Sequence, residues 1–308
     1  MSKPTYQQVH TDTALTNISI AYRNTDFIAT MVFPAVPVNK ISGKYYIYAK
    51  ADWLRREADV RAPGTRAARG DYGLSSANYT AVEVAMAKGV PDEIVDNADS
   101  PLAPERDATE WVTNQVLLEL EYNVATTVNA AGAWSGSATP STLWSNDSSD
   151  PLGDVETAVN SVVSTIAAEA NTGVMGRGLW RYVKNHPDIV DRIKGAAGPA
   201  SPAVVTLQAV AALFGIDRLL IGRAVYDTAP EGATASQSYL WGNHLLVAYV
   251  APNPSLLNPS AGYVFNYQSR EVSRFREDQE RQWVIEARQS WDAVLTAADA
   301  GYRIISAA

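Results

Sequence analysis

From position 104 the chain carries its longest stretch of helical periodicity. Val112, Val116, Leu120, Val124 and Val128 recur every fourth residue, and Trp111, Leu118, Tyr122 and Ala125 set a second apolar row beside them. Ser100, Pro101 and Pro104 suit the entry, because proline at a first helical position loses no hydrogen bond, and Gly132 supplies the stop. The spacing predicts a helix over 104–131, a rod of roughly 40 Å. An average globular helix has only about 11–12 residues, so this one is a backbone for the fold.

Residues 1–30 are polar without a sustained period and read as an arm that is ordered only by lying on something else. Positions 31–38 are apolar, but Pro34 and Pro37 exclude a helix and a central strand, which leaves an extended edge segment. Strand patterns at 44–48 and 79–86 form the two sides of a long hairpin, and the residues between them are rich in arginine, glycine and small side chains. A two-stranded ribbon of that composition is marginal alone, and connections beyond ~12–15 residues are usually functional or disordered. Laid on a neighbouring subunit, its arginines would meet carboxylates in forked pairs, which favours an oligomer.

After the rod, 133–153 is a turn-rich junction, and Asp154 caps a helix whose Val155, Val159, Val162, Val163 and Ile166 share one face. Short helices over 178–184 and 188–194 are parted by Asn185, His186 and Pro187, and Thr206 caps a helix over 207–214 that Gly215 closes. Strand patterns follow at 218–226, 239–250, 262–267, 282–288 and 302–305. Helices and strands are mixed without regular alternation and no longer period repeats, so the class is α+β. Subdomain joints fall at 133–153 and 195–203.

A chain of 308 residues can bury about three quarters of its unfolded surface, so it needs no metal or disulfide to hold together. Cysteine is absent, which excludes disulfides, thiol catalysis and cysteine metal clusters. The first twenty residues lack an apolar core flanked by basic residues, and no run approaches the ~18 apolar residues of a membrane span; the expectation is a soluble, unsecreted protein.

The net charge of -8 is spread unevenly. Residues 44–73 hold seven basic residues, among them Arg55, Arg56, Arg61, Arg66 and Arg69, against four acidic ones. Residues 92–121 hold nine acidic residues, among them Glu105, Asp107 and Glu110, against Arg106 alone. One segment suits the other as a counter-surface, while solvated faces would account for the same counts. These eight named residues are the candidate contacts between subunits.

Chemistry is sparse. His10, His186 and His244 lie in unrelated contexts, and there is no nucleophile elbow, phosphate loop, zinc-protease helix or calcium loop. Asp92, Glu93, Asp96 and Asp99 are the best carboxylates for a divalent cation, but the glycine and bidentate glutamate of a calcium loop are missing. Acidic residues near the positive end of a helix explain the same run. No catalytic, cofactor or metal residue is assigned.

The order of these pieces resembles the major capsid protein of tailed double-stranded-DNA phages, the Hong Kong 97 type. Local phrases resemble it too: Asp96-Asn97-Ala98 entering the long helix, Leu179-Trp180-Arg181-Tyr182 with His186-Pro187-Asp188-Ile189, Leu213-Phe214-Gly215-Ile216 leading to Ile221-Gly222-Arg223-Ala224, and Asp299-Ala300-Gly301-Tyr302. The resemblance implies an N-terminal arm at 1–42, an extended loop at 43–90, and a peripheral domain at 91–202 with its spine helix at 104–131. An axial domain at 203–250 and strands at 251–308 that return through the peripheral and axial region would follow. It further implies a non-enzymatic shell subunit that assembles through pentamers and hexamers into an icosahedral shell around viral DNA. The implied setting is the virion, assembled in the host cytoplasm with no membrane. A separate scaffolding protein, a portal and a decoration protein would be its partners besides other copies and the packaged DNA. Some family members cross-link through a loop lysine; the tip at 61–71 has none, so that chemistry is not expected. The alternatives are a cellular nanocompartment shell of the encapsulin kind, and a metal-dependent enzyme using Asp92, Glu93, Asp96 and Asp99.

Overall fold

The computed structural model describes residues 24, 26–48, 50–98, 102–197, 205–253 and 260–308. Most of the expected arm, and Asp99, Ser100 and Pro101, lie outside them. The chain begins with a single helical turn, α1 (Ala29–Val32), and an edge strand, β1 (Ala35–Pro37). The edge expectation holds for β1, but Met31 and Val32 close a helical turn just ahead of Pro34, where the prolines no longer interfere. Strand β2 (Ser42–Tyr48) leads to α2 (Lys50–Leu54) and returns as β3 (Leu74–Thr80), in antiparallel register from Ser42 opposite Thr80 to Tyr48 opposite Leu74. The strand expected at 79–86 is therefore two strands. Ala81 closes the hairpin by donating to the Ile41 carbonyl at 2.8 Å, and β4 (Val82–Pro91) departs into another sheet.

A short helix, α3 (Asp92–Asp96), precedes the long helix α4 (Pro104–Asn129), which at ~1.5 Å per residue spans about 39 Å. All five residues of its first apolar row are buried. The second row divides: Ala125 is buried, but Trp111 and Tyr122 are 39% and 42% exposed. The helix ends at Asn129, where Ala130 turns extended, so Gly132 acts three residues beyond the end with φ +74°. The junction that follows contains β5 (Gly136–Ala138). Helix α5 (Pro151–Ile166) starts earlier than expected, because Asp150 and not Asp154 caps it by accepting from the Gly153 amide. Asp154 instead accepts from the Trp144 indole at 2.8 Å.

Next come β6 (Thr172–Gly176), α6 (Arg177–Val183), α7 (Pro187–Ala197) and α8 (Leu207–Leu213), the last capped by Thr206 as expected. The strands expected at 218–226 and 239–250 each break in two. They are β7 (Arg218–Gly222) with β8 (Val225–Asp227), and β9 (Gln237–Tyr239) with β10 (Leu245–Ala248). The terminal strands β11 (Gly262–Glu277) and β12 (Gln282–Leu295) run far longer than expected before β13 (Gly301–Ile304).

Two larger sheets organise these elements. One has the order β1-β11-β12-β4, and the other β5-β13-β10-β6-β7. Helix α4 lies on the first, where Val112, Val116, Leu120 and Val124 meet Ile285, Ala287 and Trp291. Helices α5 to α8 enclose the second, with Val155, Leu179, Ile189 and Phe214 packed around Met175, Leu245 and Val247. Each core lies between one sheet and its helices, which is the mixed α+β layering.

Candidate assembly surface

The hairpin β2–β3 is held to its own chain at one end by aromatic stacking. Tyr45 and Tyr79 stack on Phe265 of β11 at 5.6 and 4.6 Å between centroids. Beyond that anchor, residues 53–76 are all exposed. Tyr48, Trp53 and Tyr72 form a small knot, 5.7 to 6.0 Å between rings, yet Trp53 and Tyr72 keep more than half of their surface in solvent. Lys50 at its edge reaches Asp299 at 2.7 Å, and this ammonium holds the Asp299 carboxyl below its usual range.

Arg55 pairs within the loop, with Glu57 at 3.2 Å and Asp52 at 3.9 Å. Arg56, Arg61, Arg66 and Arg69 have no carboxylate partner among the described residues. So much exposed apolar and cationic surface on a thin ribbon gives little back to its own chain, since a hairpin of this kind is marginal in water.

The acidic segment finds different partners within the chain. Asp92 takes a two-pronged pair from Arg276, with both contacts at 2.5 to 2.6 Å, and this guanidinium holds its carboxyl below the usual range. Glu105 on α4 takes Arg274 at 2.6 Å. Both guanidiniums lie over the Trp283 ring, at 4.0 and 5.4 Å from its centroid. The far end of the β11–β12 hairpin is thus clamped to the approach of α4. Asp107 lies 3.8 Å from its neighbour Arg106, and both Asp107 and Glu110 are exposed on α4. Within one chain the loop arginines do not meet the helix carboxylates. Arg274 and Arg276 went unnoticed in the sequence because they lie well over a hundred positions from Glu105 and Asp92, and Trp283 because its role depends on that pairing.

The alternative chemistry does not come together. Asp92 is occupied by Arg276, Glu93 and Asp96 are exposed, and Asp99 lies outside the described residues. Among the described residues no cluster of three or more metal-ligating side chains forms. One arrangement has the order of a hydrolytic triad: Ser149 Oγ is 3.0 Å from His186 Nε2, and His186 Nδ1 is 3.8 Å from Asp188. Ser149 and His186 are buried, the serine hydroxyl donates to the Asn146 carbonyl at 2.8 Å, and Asp188 is too far to orient the ring. The arrangement is a packed polar junction. His244 likewise accepts from the Ser306 amide at 2.9 Å, and burial pushes its pKa down. Two shallow hollows, about 430 Å³ beside Tyr122 and Leu295 and about 280 Å³ between α5 and α8, are lined by neither histidine.

No family model matches the chain. Over 309 residues it is 24% identical to the major capsid protein of Burkholderia phage BcepMu, covering 95% of each chain. Over 242 residues it is 28% identical to the major capsid protein of Pseudomonas phage JBD67, covering 77% of this chain and 76% of that one. A phage-related protein of Bordetella bronchiseptica RB50 superposes with a TM-score of 0.71 at 25% identity, covering 93% of both chains. The capsid subunit of cyanophage P-SCSP1u superposes with a TM-score of 0.65 at 10% identity, over 98% of this chain and 94% of that one. The chain has the fold of a phage major capsid protein. The resemblance to the Hong Kong 97 type of shell protein is borne out at the level of the fold. In a capsid-protein fold, an exposed ribbon and a clamped long helix are features of a structural subunit, and nothing in the likenesses points to an enzyme. No helix among the described residues is long and apolar enough to cross a membrane.

Proposed function

We propose that copies of this chain assemble through pentamers and hexamers into a closed icosahedral shell around a double-stranded DNA genome, as the major capsid protein of a tailed phage. The observation that carries this reading is a likeness over nearly the whole chain, in sequence to a phage major capsid protein and in fold to a phage capsid subunit. In this reading residues 1–42 are the arm, 43–90 the extended loop, 91–202 the peripheral domain with α4 as its spine, and 203–250 the axial domain. Residues 251–308 return through the peripheral and axial region. The exposed loop, with Arg56, Arg61, Arg66 and Arg69 toward a neighbour's exposed Asp107 and Glu110, supplies one of the contacts between copies.

A weak contact suffices, because it is repeated around a closed symmetric surface. Strong phosphate binding is not needed, and an acidic chain leaves packaged DNA free to slide past the shell. A scaffolding protein, a portal and a decoration protein complete the assembly in this reading, which places the mature chain in the virion and its assembly in the host cytoplasm.

Light scattering followed by negative-stain microscopy of the purified chain, with and without a candidate scaffolding protein, tests the proposal. Closed shells or rings of five or six subunits are expected. A monodisperse 33.2 kDa monomer under both conditions would overturn it. Particles that hold protein cargo and exclude nucleic acid would instead identify a nanocompartment.

A further inference from the structure

Glu121 is the charged side chain that α4 turns inward. It is fully buried, in line with Leu117 and Ala125 one turn to either side, and no cation pairs with it among the described residues. Its two oxygens are saturated by N–H groups instead. Oε1 accepts from the Trp241 indole at 2.7 Å and the Ile28 amide at 3.1 Å, while Oε2 accepts from Ile28 at 3.0 Å and Ala29 at 2.7 Å. Ile28 and Ala29 open α1, whose first amides have no partner within the helix and no capping side chain of their own. A carboxylate from the middle of α4 thus caps α1 across the core and ties in the turn before β10.

A carboxylate only accepts hydrogen bonds, whereas a carboxylic acid must also donate one. Every direction its proton could take is occupied by an N–H, so protonation must displace a donor. Ile28, whose amide is shared by both oxygens, holds the weakest position. The charged groups on the surrounding elements are engaged elsewhere or turned outward. Asp26 pairs with Arg223 at 2.9 Å, Arg218 reaches the Met31 carbonyl at 3.0 Å, His244 accepts from Ser306, and Glu119 is exposed. Of the sheet under α4, Lys88 lies over the Trp111 ring at 5.5 Å, and Ile285, Ala287 and Trp291 are uncharged.

We propose that Glu121 is a proton-operated latch on the root of the N-terminal arm: ionised it clamps Ile28 and Ala29 to the long helix, and protonated it lets residues 26–33 loosen. Burial pushes its pKa above the ordinary carboxylate range, against the smaller opposing pull of its hydrogen bonds, so the latch responds to mild acid. The sign is that of a raised folded value. Against global unfolding, which returns the carboxyl to water, this group's contribution to stability is fully present below the ordinary glutamate pKa and is lost as pH rises through the raised one. The loosening of 26–33 has the opposite sign, because it removes the Ile28 and Ala29 donors that pull the pKa down while the carboxyl stays in the core, so acid favours the loosened form. The ionised latch therefore costs the fold something, and what it returns is a fixed position for Ile28 and Ala29 against α4. The latch lies within a single chain and stands apart from the shell reading.

Hydrogen exchange of the intact chain, corrected for intrinsic rates and compared at about pH 7.5 and about pH 5, reads the latch directly. Peptides covering 26–33 are expected to lose protection roughly tenfold at the lower pH while those of β10 keep theirs. Glu121→Gln, which places an amide donor among donors, should show the acid pattern at both values. Asp26→Asn should retain the step, which separates the latch from the neighbouring ion pair. Equal protection at both pH values in the wild type, a step that survives in Glu121→Gln, or a step abolished by Asp26→Asn would overturn the proposal. If Glu121→Gln does not fold, Trp241→Phe decides: removing one donor should move the step to higher pH, and an unmoved step counts against the latch.

Discussion

Replacing Arg61, Arg66 and Arg69 together with serine should weaken assembly without weakening the subunit. All three lie in the stretch 53–76 that is exposed throughout, and none has a carboxylate partner among the described residues. Their removal therefore breaks nothing within the chain. Surface changes of this kind usually stay within about 0.5 kcal/mol, which in a domain of this size is a Tm shift of no more than about 2 °C. Against a neighbouring copy each exposed ion pair is worth ~0.2–1 kcal/mol, so three together contribute about 1.5 kcal/mol to each loop contact. Since ~1.4 kcal/mol is a tenfold change in an equilibrium constant, the concentration at which particles form should rise about tenfold. Sedimentation of a dilution series measures that concentration, and calorimetry of the unassembled subunit measures the Tm. The gap between wild type and variant should shrink in ~1 M salt, where charges are screened beyond about 3 Å. An unchanged assembly threshold at low salt, or a Tm fallen by as much as a core substitution would cause, would refute the reasoning.

Leu120→Ala, on the buried row of α4, should cost ~2–5 kcal/mol in urea unfolding, whereas Trp111→Ala on the exposed row should cost about 1 kcal/mol or less; equal losses would contradict the assignment of faces. Gly176→Ala should destabilise by about 1–3 kcal/mol or more, because a Cβ there would lie 1.8 Å from the Gly242 carbonyl oxygen, and a stable variant would mean that β6 does not pack as described. Asp92 has a depressed pKa, so its pairing with Arg276 contributes stability above the ordinary aspartate value and loses it as pH falls through the lowered one. Asp92→Asn should therefore flatten the acid limb of a plot of urea midpoint against pH, and an unaltered limb would show the pair to be idle.

What the sequence made legible was local. The period of α4, the Thr206 cap and the two helices around His186 need only neighbouring residues, and they stand where the pattern puts them. The identity of the fold was legible from the order of pieces along the chain. What escaped was decided at long range. The divided strand at 79–86 has the same propensity on both sides of Ala81, and only the choice of partner sheet separates β3 from β4. Strand β6 is fully buried but glycine-rich, because Gly173 must admit Ile216 and Leu219 and Gly176 must admit the Gly242 backbone, so no strand pattern marks it in the sequence. The outer half of β11 was hidden because its alternating polar residues serve ion pairs, as Arg274 and Arg276 show. Glu121 counted as one more charge in an acidic run, although its place one turn before Val124 and Ala125 already set it beside the buried face.

The most direct test of a shell subunit completed by its neighbours is an image of the assembled particle at side-chain resolution. The account predicts that residues 53–76, exposed in the single chain, are covered by another copy, with loop arginines within ion-pair distance of that copy's carboxylates. Particles in which those residues remain solvent-exposed, with the hairpin held by Lys50 and the Tyr45 and Tyr79 stacks of its own chain, would contradict it.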